Sequence, residues 1–215
     1  MINLILTLFQ KIKFKFGLDR KRFVINYIRN NSISNILEIG VFNGNFAERM
    51  IRACHLNGKS NKINYYGIDL FSEMFDSSKY RSEVSLYPLS KMEVLSKLEK
   101  IDNVSVHLIQ GDSNSILPKL TNLPKMDLIH IDGGHSFKTV NQDWLNVEQL
   151  MSNKTVTFFD DYTNKKGEVL GKFGINKVIY SINRSKYDIC ISKRKDFFWK
   201  EYGLLSLRMV RVRLK

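Results

Sequence analysis

The sequence predicts an α/β domain built on a mostly parallel sheet with helices on both faces. Two observations carry this. First, short apolar runs alternate with amphipathic helical stretches along most of the 215 residues. Such alternation is the mark of parallel strands joined by helical crossovers. Second, several of those runs stop at an acid or a glycine: Ile36-Leu37-Glu38-Ile39-Gly40, Gly67-Ile68-Asp69, Gln110-Gly111-Asp112, Ile129-His130-Ile131-Asp132-Gly133 and Phe158-Phe159-Asp160-Asp161. In an open parallel sheet these ends line up along the carboxyl edge, where ligands bind. Apart from the fold, the net charge of +13 is unevenly placed. Residues 1–29 carry seven bases and one acid, residues 193–215 carry eight bases and two acids, and the stretch between is almost balanced. A nearly neutral globular centre with basic ends is the result.

Composition sets further bounds. An apolar share of 43% and an aromatic share of 12% exclude a disordered chain. No apolar run reaches bilayer-crossing length. The apolar start, Met1 to Phe9, has its charges after it and no small-residue cleavage site, which argues against a secretory signal. Cys54 and Cys190 stand far apart in no metal spacing and read as reduced thiols, so a cytoplasmic location is expected. The basic ends suit an anionic partner such as membrane lipid, nucleic acid or a charged glycan carrier; the plainer reading is that they are solvated.

Taken in order, residues 1–16 place Ile5, Leu8, Phe9, Ile12 and Phe16 on one helical face, with Lys11, Lys13 and Lys15 largely off it. This basic amphipathic helix could rest on an anionic membrane, giving peripheral contact. Packing on its own domain or on a second subunit is preferred, and a homo-oligomer is expected. A helix from about Asp19 to Arg29 follows, so residues 1–32 form a basic helical extension ahead of a domain spanning 33–215. Strand 36–40 runs through Phe42, Asn43 and Gly44 into a helix ending near Cys54; strand 63–69 follows. Residues 71–89, with Phe71, Phe75, Tyr80 and Tyr87, lack a clear period and read as a lid or substrate loop with some local helix. Then come a helix over 90–100, strand 104–109, a short helix to Leu120, strand 126–132, a helix over 139–151 and strand 156–160. Residues 162–174 form a second loop, 175–183 a helix, and 187–192 with 204–214 a final antiparallel pair.

The chemistry-bearing stretch is Ile131-Asp132-Gly133-Gly134-His135. Two glycines let the chain turn tightly so that His135 faces back towards Asp132. A second acidic tip, Asp160-Asp161, lies 28 residues beyond Asp132, room for one helix and one strand. If those strands are parallel neighbours, three carboxylates and an imidazole meet at one spot, which is the predicted active site. His130 is expected to be buried packing, Asp143 a surface acid and Trp144 core.

Glu38-Ile39-Gly40 through Gly44, with Asp69 and Gly111-Asp112, resembles the class I S-adenosylmethionine-dependent methyltransferases over roughly residues 33–214. The resemblance implies a Rossmann-like, seven-stranded sheet with the last strand antiparallel. It also implies that Gly40 and Gly44 meet the methionine part of S-adenosylmethionine, Asp69 the ribose hydroxyls and Asp112 the adenine amine. Phe42, Asn43, Leu70, Ser113 and Asp132 join this cofactor set; Glu38 belongs to it more by steadying the turn than by touching the ligand. Gly-x-x-x-Gly spacing disfavours a dinucleotide. With Asp160-Asp161-Tyr162 added, the match narrows to metal-dependent O-methyltransferases, and is most similar to the sugar O-methyltransferases of macrolide pathways. That implies a divalent ion, Mg2+ by its hard oxygen ligands, on Asp132, Asp160 and Asp161, with His135 as general base beside Asp132. The expected function is methyl transfer to a hydroxyl of a small polar acceptor, such as a sugar or glycan precursor. Alternatives are a catechol-type phenol methyltransferase and a non-catalytic binding protein on the same fold. Methylation of nucleic acid is disfavoured, because no Asn/Asp-Pro-Pro-aromatic motif is present and the acidic pocket would repel phosphate.

Overall fold

Residues 8–9, 11–12, 18–56, 58, 62–76, 87–163, 174–200 and 203–215 are described by the computed structural model. Their sheet is assembled from strands β1 (Asn35–Ile39), β2 (Ile63–Asp69), β3 (Val104–Gln110), β4 (Leu128–Ile131), β5 (Val156–Thr163), β6 (Tyr187–Ile191), β7 (Asp196–Lys200) and β8 (Gly203–Leu214). Their order is β3-β2-β1-β4-β5-β8-β6, with β7 paired to β8 off that path. β1 to β5 are mutually parallel, and β8 runs antiparallel to β5, β6 and β7. The Rossmann-like fold class therefore holds, with eight described strands where seven were expected. The extra strand, β7, follows the basic run Lys193-Arg194-Lys195, which masks a short hairpin arm as a charged linker.

Alternating side chains assign the two faces. Ile36, Leu128 and Phe158 belong to one core cluster and Leu37, Ile129 and Phe159 to the other. The first face is covered by helices α1 (Arg22–Asn30), α2 (Asn45–Leu56) and α4 (Lys91–Leu98), through Val24, Ile28, Met50, Ile51, Val94 and Leu98. Between β2 and α4 lies the one-turn helix α3 (Phe71–Met74), and after β3 comes the equally short α5 (Ser113–Ile116). The second face is covered by α6 (Phe137–Glu148) and α7 (Ile175–Ser181), through Val140, Trp144, Val147, Val178 and Ile179. A Ser90–Glu93 capping box starts α4, and Ser136 caps α6 by accepting from the Thr139 N–H.

Helix α1, read from sequence as part of the extension, packs into the first-face core, where Phe23 and Tyr27 meet the Phe158 ring edge-on at 5.8 and 5.5 Å. That contact delivers the residues just before it, Arg20 and Lys21, to the carboxyl edge of the sheet. The expected helix over 1–16 falls mostly outside the described residues, as do the centres of the two loops, 77–86 and 164–173. Asp143, expected at the surface, is completely buried. One of its carboxylate oxygens lies 3.8 Å from where a side chain on Gly133 would begin, under the Asp132–His135 turn. No helix among the described residues is long and apolar enough to cross a membrane.

Candidate active site

The carboxyl edge opens into a cavity of about 660 Å³, within the range of small-molecule sites. Glu38, Gly40, Phe42, Asn43, Asp69, Leu70, Asp112, Ser113, Asp132 and His135 all border it. Gly44 does not; its φ is +69° and an added Cβ would press on Val94 at 3.1 Å, so it serves the turn and its contact with α4. Gly40, at φ +88°, lines the cavity and also allows a close approach between strands. A Cβ there would lie 2.2 Å from the Asp132 carbonyl oxygen, so the missing side chain lets the tips of β1 and β4 touch.

Asp69 is largely occupied by the backbone. One of its oxygens accepts from the N–H groups of Val41 and Phe42, at 2.7 and 2.8 Å, and the other from that of Phe71 at 2.9 Å. A carboxylate has about four acceptor positions, so one is left. Asp112 caps α5 by accepting from the Asn114 N–H at 3.0 Å. Glu38 is buried and engaged on both oxygens, by the Tyr65 hydroxyl and by His130 Nδ1 at 3.1 Å. It steadies the strand tips from behind.

At the deep end the structure brings Asp132, Asp160, Asp161 and His135 together. Consecutive strand residues normally face opposite sides, which would separate Asp160 from Asp161. A register irregularity in β5 between Phe159 and Tyr162, with Asp161 at φ +61°, turns both acids to one side. His135 Nε2 lies 3.1 Å from Asp161 Oδ2. A ring nitrogen of His130 lies within 4.8 Å of carboxylate oxygens of Asp132 and Asp160. Its place two residues before Asp132 on one strand, hence on the same face, was the signal in the sequence.

Two cations stand among these acids. Arg20 donates from Nε to Asp160 Oδ1 at 2.5 Å, and one terminal nitrogen reaches Asp161 Oδ1 at 2.7 Å; the other reaches Asp196 Oδ2 at 3.2 Å. Lys21 Nζ lies 2.7 Å from Asp132 Oδ2 and 3.5 Å from Asp160 Oδ2. Burial would raise the Asp160 carboxyl, but Arg20 and then Lys21 outweigh it and hold it far below the usual carboxylate range. Asp161 moves the other way, pushed up by burial and by Asp160 against the pull of Arg20 and His135. Burial disfavours the Lys21 ammonium, yet Asp132 and Asp160 overcome this and fix its charge. Sequence reasoning missed Arg20, Lys21 and Asp196, because a basic run beside a helix reads as solvated.

A family model described as a methyltransferase domain matches residues 37–162. The chain belongs to this family and carries a class I S-adenosylmethionine-dependent methyltransferase domain. Among solved structures, one similar fold is the O-methyltransferase TomG from Streptomyces achromogenes, involved in tomaymycin synthesis and crystallised with S-adenosylmethionine. It is 15% identical, with a TM-score of 0.58 over 91% of this chain and 79% of that one. An rRNA methylase from Streptococcus thermophilus is 10% identical at TM-score 0.59, over 91% and 96%. The methyltransferase PaMTH1 from Podospora anserina, bound to S-adenosylhomocysteine, is 14% identical at TM-score 0.56, over 91% and 77%. At these identities the likeness is one of fold. No curated protein sequence matches significantly.

Proposed function

We propose that the protein transfers a methyl group from S-adenosylmethionine to a hydroxyl of a small polar acceptor, a sugar or glycan precursor being the class that fits best. The observation behind this reading is the pairing of His135 with Asp161, next to Asp132, at the inner end of the cavity that starts at the Gly40 turn. The residues suit the cofactor: the cavity is large enough, Asp69 keeps an acceptor position, and the Asp112 carboxylate stands at the wall.

When bound, S-adenosylmethionine supplies a methyl carbon on a positively charged sulfur, which an oxygen nucleophile takes as the carbon–sulfur bond breaks with its electron pair on sulfur. Everything else falls to the chain. An alcohol is a poor nucleophile until it loses its proton. A neutral imidazole can take that proton, and Asp161 holds the His135 ring through Nε2, fixing its orientation and favouring the proton on that nitrogen. Asp132, on the adjacent strand tip, accepts from a second hydroxyl and orients the acceptor. A sugar offers such neighbouring hydroxyls. In this reading the working unit reaches back to Arg20, because Arg20 and Lys21 complete the acid cluster. The Mg2+ implied by the resemblance would need Asp132, Asp160 and Asp161. Those oxygens are hard donors of the right kind, but they already face Arg20, Lys21 and His135, so the site as arranged does not fit the ion.

Calorimetric titration of S-adenosylhomocysteine into the protein tests the cofactor, and methyl transfer to a panel of nucleotide sugars and glycosides tests the acceptor. Micromolar binding, with transfer abolished in Asp132→Asn, is the expected result. Absence of binding would sink the reading.

A further inference from the structure

Lys21 stands where catalysis at a hydroxyl calls for a positive charge. Its ammonium contacts Asp132 and Asp160, two of the three carboxylates a divalent ion would use. The third, Asp161, is held by Arg20 and His135. Lys21 also lies 4.5 Å over the Phe46 ring, its side chain is four-fifths buried, and it borders the cavity. A Mg2+ or Ca2+ ion would need these oxygens at roughly 2.0–2.6 Å. At that range it would press against the ammonium, and two like charges in contact repel even where the cavity admits solvent. The ion and Lys21 in this position exclude each other.

We propose that the site works without a metal, and that the Lys21 ammonium takes the ion's place by binding the acceptor oxygen and stabilising the negative charge that grows as His135 removes its proton. The chemistry rests on the methyl-transfer reading; the exclusion of an ion does not. An ammonium has three N–H donors. Asp132 takes one, and the acceptor oxygen takes another from the cavity side. Asp160 Oδ2, buried without a hydrogen bond and 3.5 Å from Nζ, keeps the charge in place. A cation already held in place acts on developing charge with little reorganisation. Arg20 cannot share this role, since all its nitrogens point at carboxylates. It is a positioning residue, and among the described residues Lys21 is the cation that both contacts the cluster and borders the cavity.

The test is a Mn2+ titration followed by electron paramagnetic resonance, on the wild-type chain and on Lys21→Ala and Lys21→Arg, with circular dichroism to establish folding. The wild type and Lys21→Arg should take up no stoichiometric Mn2+ at about 1 mM. Lys21→Ala should gain a site at least roughly tenfold tighter, the scale on which neighbouring groups alter metal affinity. Stoichiometric binding by the wild type would overturn the proposal, because Lys21 would then be yielding to the ion. A folded Lys21→Ala chain that gains no site would overturn it too. S-adenosylhomocysteine titration on the same wild-type sample keeps the readings apart: its failure would sink methyl transfer while leaving the Mn2+ result to be judged by itself.

Discussion

Replacing Arg20 by methionine keeps the length of the side chain and removes its charge. Arg20 is 9% exposed and bonds Asp160, Asp161 and Asp196 at 2.5, 2.7 and 3.2 Å. Removing one partner of a buried ion pair costs about 3–5 kcal/mol. The cost stays that of one pair, not a multiple of it, because Lys21 still faces Asp160 and His135 still faces Asp161. A domain of this size loses about 2–4 °C of melting temperature per kcal/mol, so the Arg20→Met chain should melt about 6–20 °C lower near neutral pH. The sign of the pH dependence follows. In the wild type, burial works to raise Asp160, but Arg20 and Lys21 depress it below its unfolded value of 3.8. Its contribution is thus present above that value and lost only as pH falls through the depressed one. In Arg20→Met the buried acids lose their main cation, so both carboxyls move up from where Arg20 holds them, and protonation at lower pH relieves the variant. The gap between the two melting curves should be widest near pH 7 and narrow towards about pH 4.5. Circular dichroism melts at both values measure it. A variant melting within about 2 °C of the wild type at both would refute the charge network.

Other outcomes are expected. His135→Ala should lower kcat by about 10²–10⁴-fold and leave S-adenosylhomocysteine affinity unchanged; equal losses in both would mean the imidazole only supports the fold. Gly40→Ala combines φ +88° with a Cβ 2.2 Å from the Asp132 carbonyl oxygen. It should cost at least about 2 kcal/mol in urea unfolding and weaken cofactor binding, and a neutral result would show that the tips of β1 and β4 can separate freely. Cys54 is buried, and burial, with Asp127 adding to it, pushes its thiol up to about 12. A thiol reagent should therefore label Cys190 in the native protein and reach Cys54 only on unfolding. Labelling of Cys54 at the rate of Cys190 would contradict this.

The fold was legible because each parallel strand is a short apolar run ending in punctuation. Asp132 and Asp160 could be placed together since strand tips share an edge whatever the helices between them do. Asp161 required more. It shares the site only through the β5 irregularity, which leaves no mark in a run reading Phe-Phe-Asp-Asp-Tyr. Asp143 was misread because helical periodicity reports a face, and an acid on a buried face looks like any other acid until the glycine turn above it is seen. Arg20 and Lys21 were illegible for a different reason. Their partners lie more than a hundred residues away, and local charge patterning carries no information about contacts at that separation.

The separation between Arg20 and its acids also orders events during synthesis. Arg20 precedes Asp160 by 140 residues and Asp196 by 176. At about 5–20 residues per second, the first of those gaps alone takes about 7–28 s to translate. Through that interval helix α1 has neither β5 to pack on nor acids to receive the guanidinium before it. The cluster is consequently closed only once Asp196 has been made, by an early segment waiting for a late one.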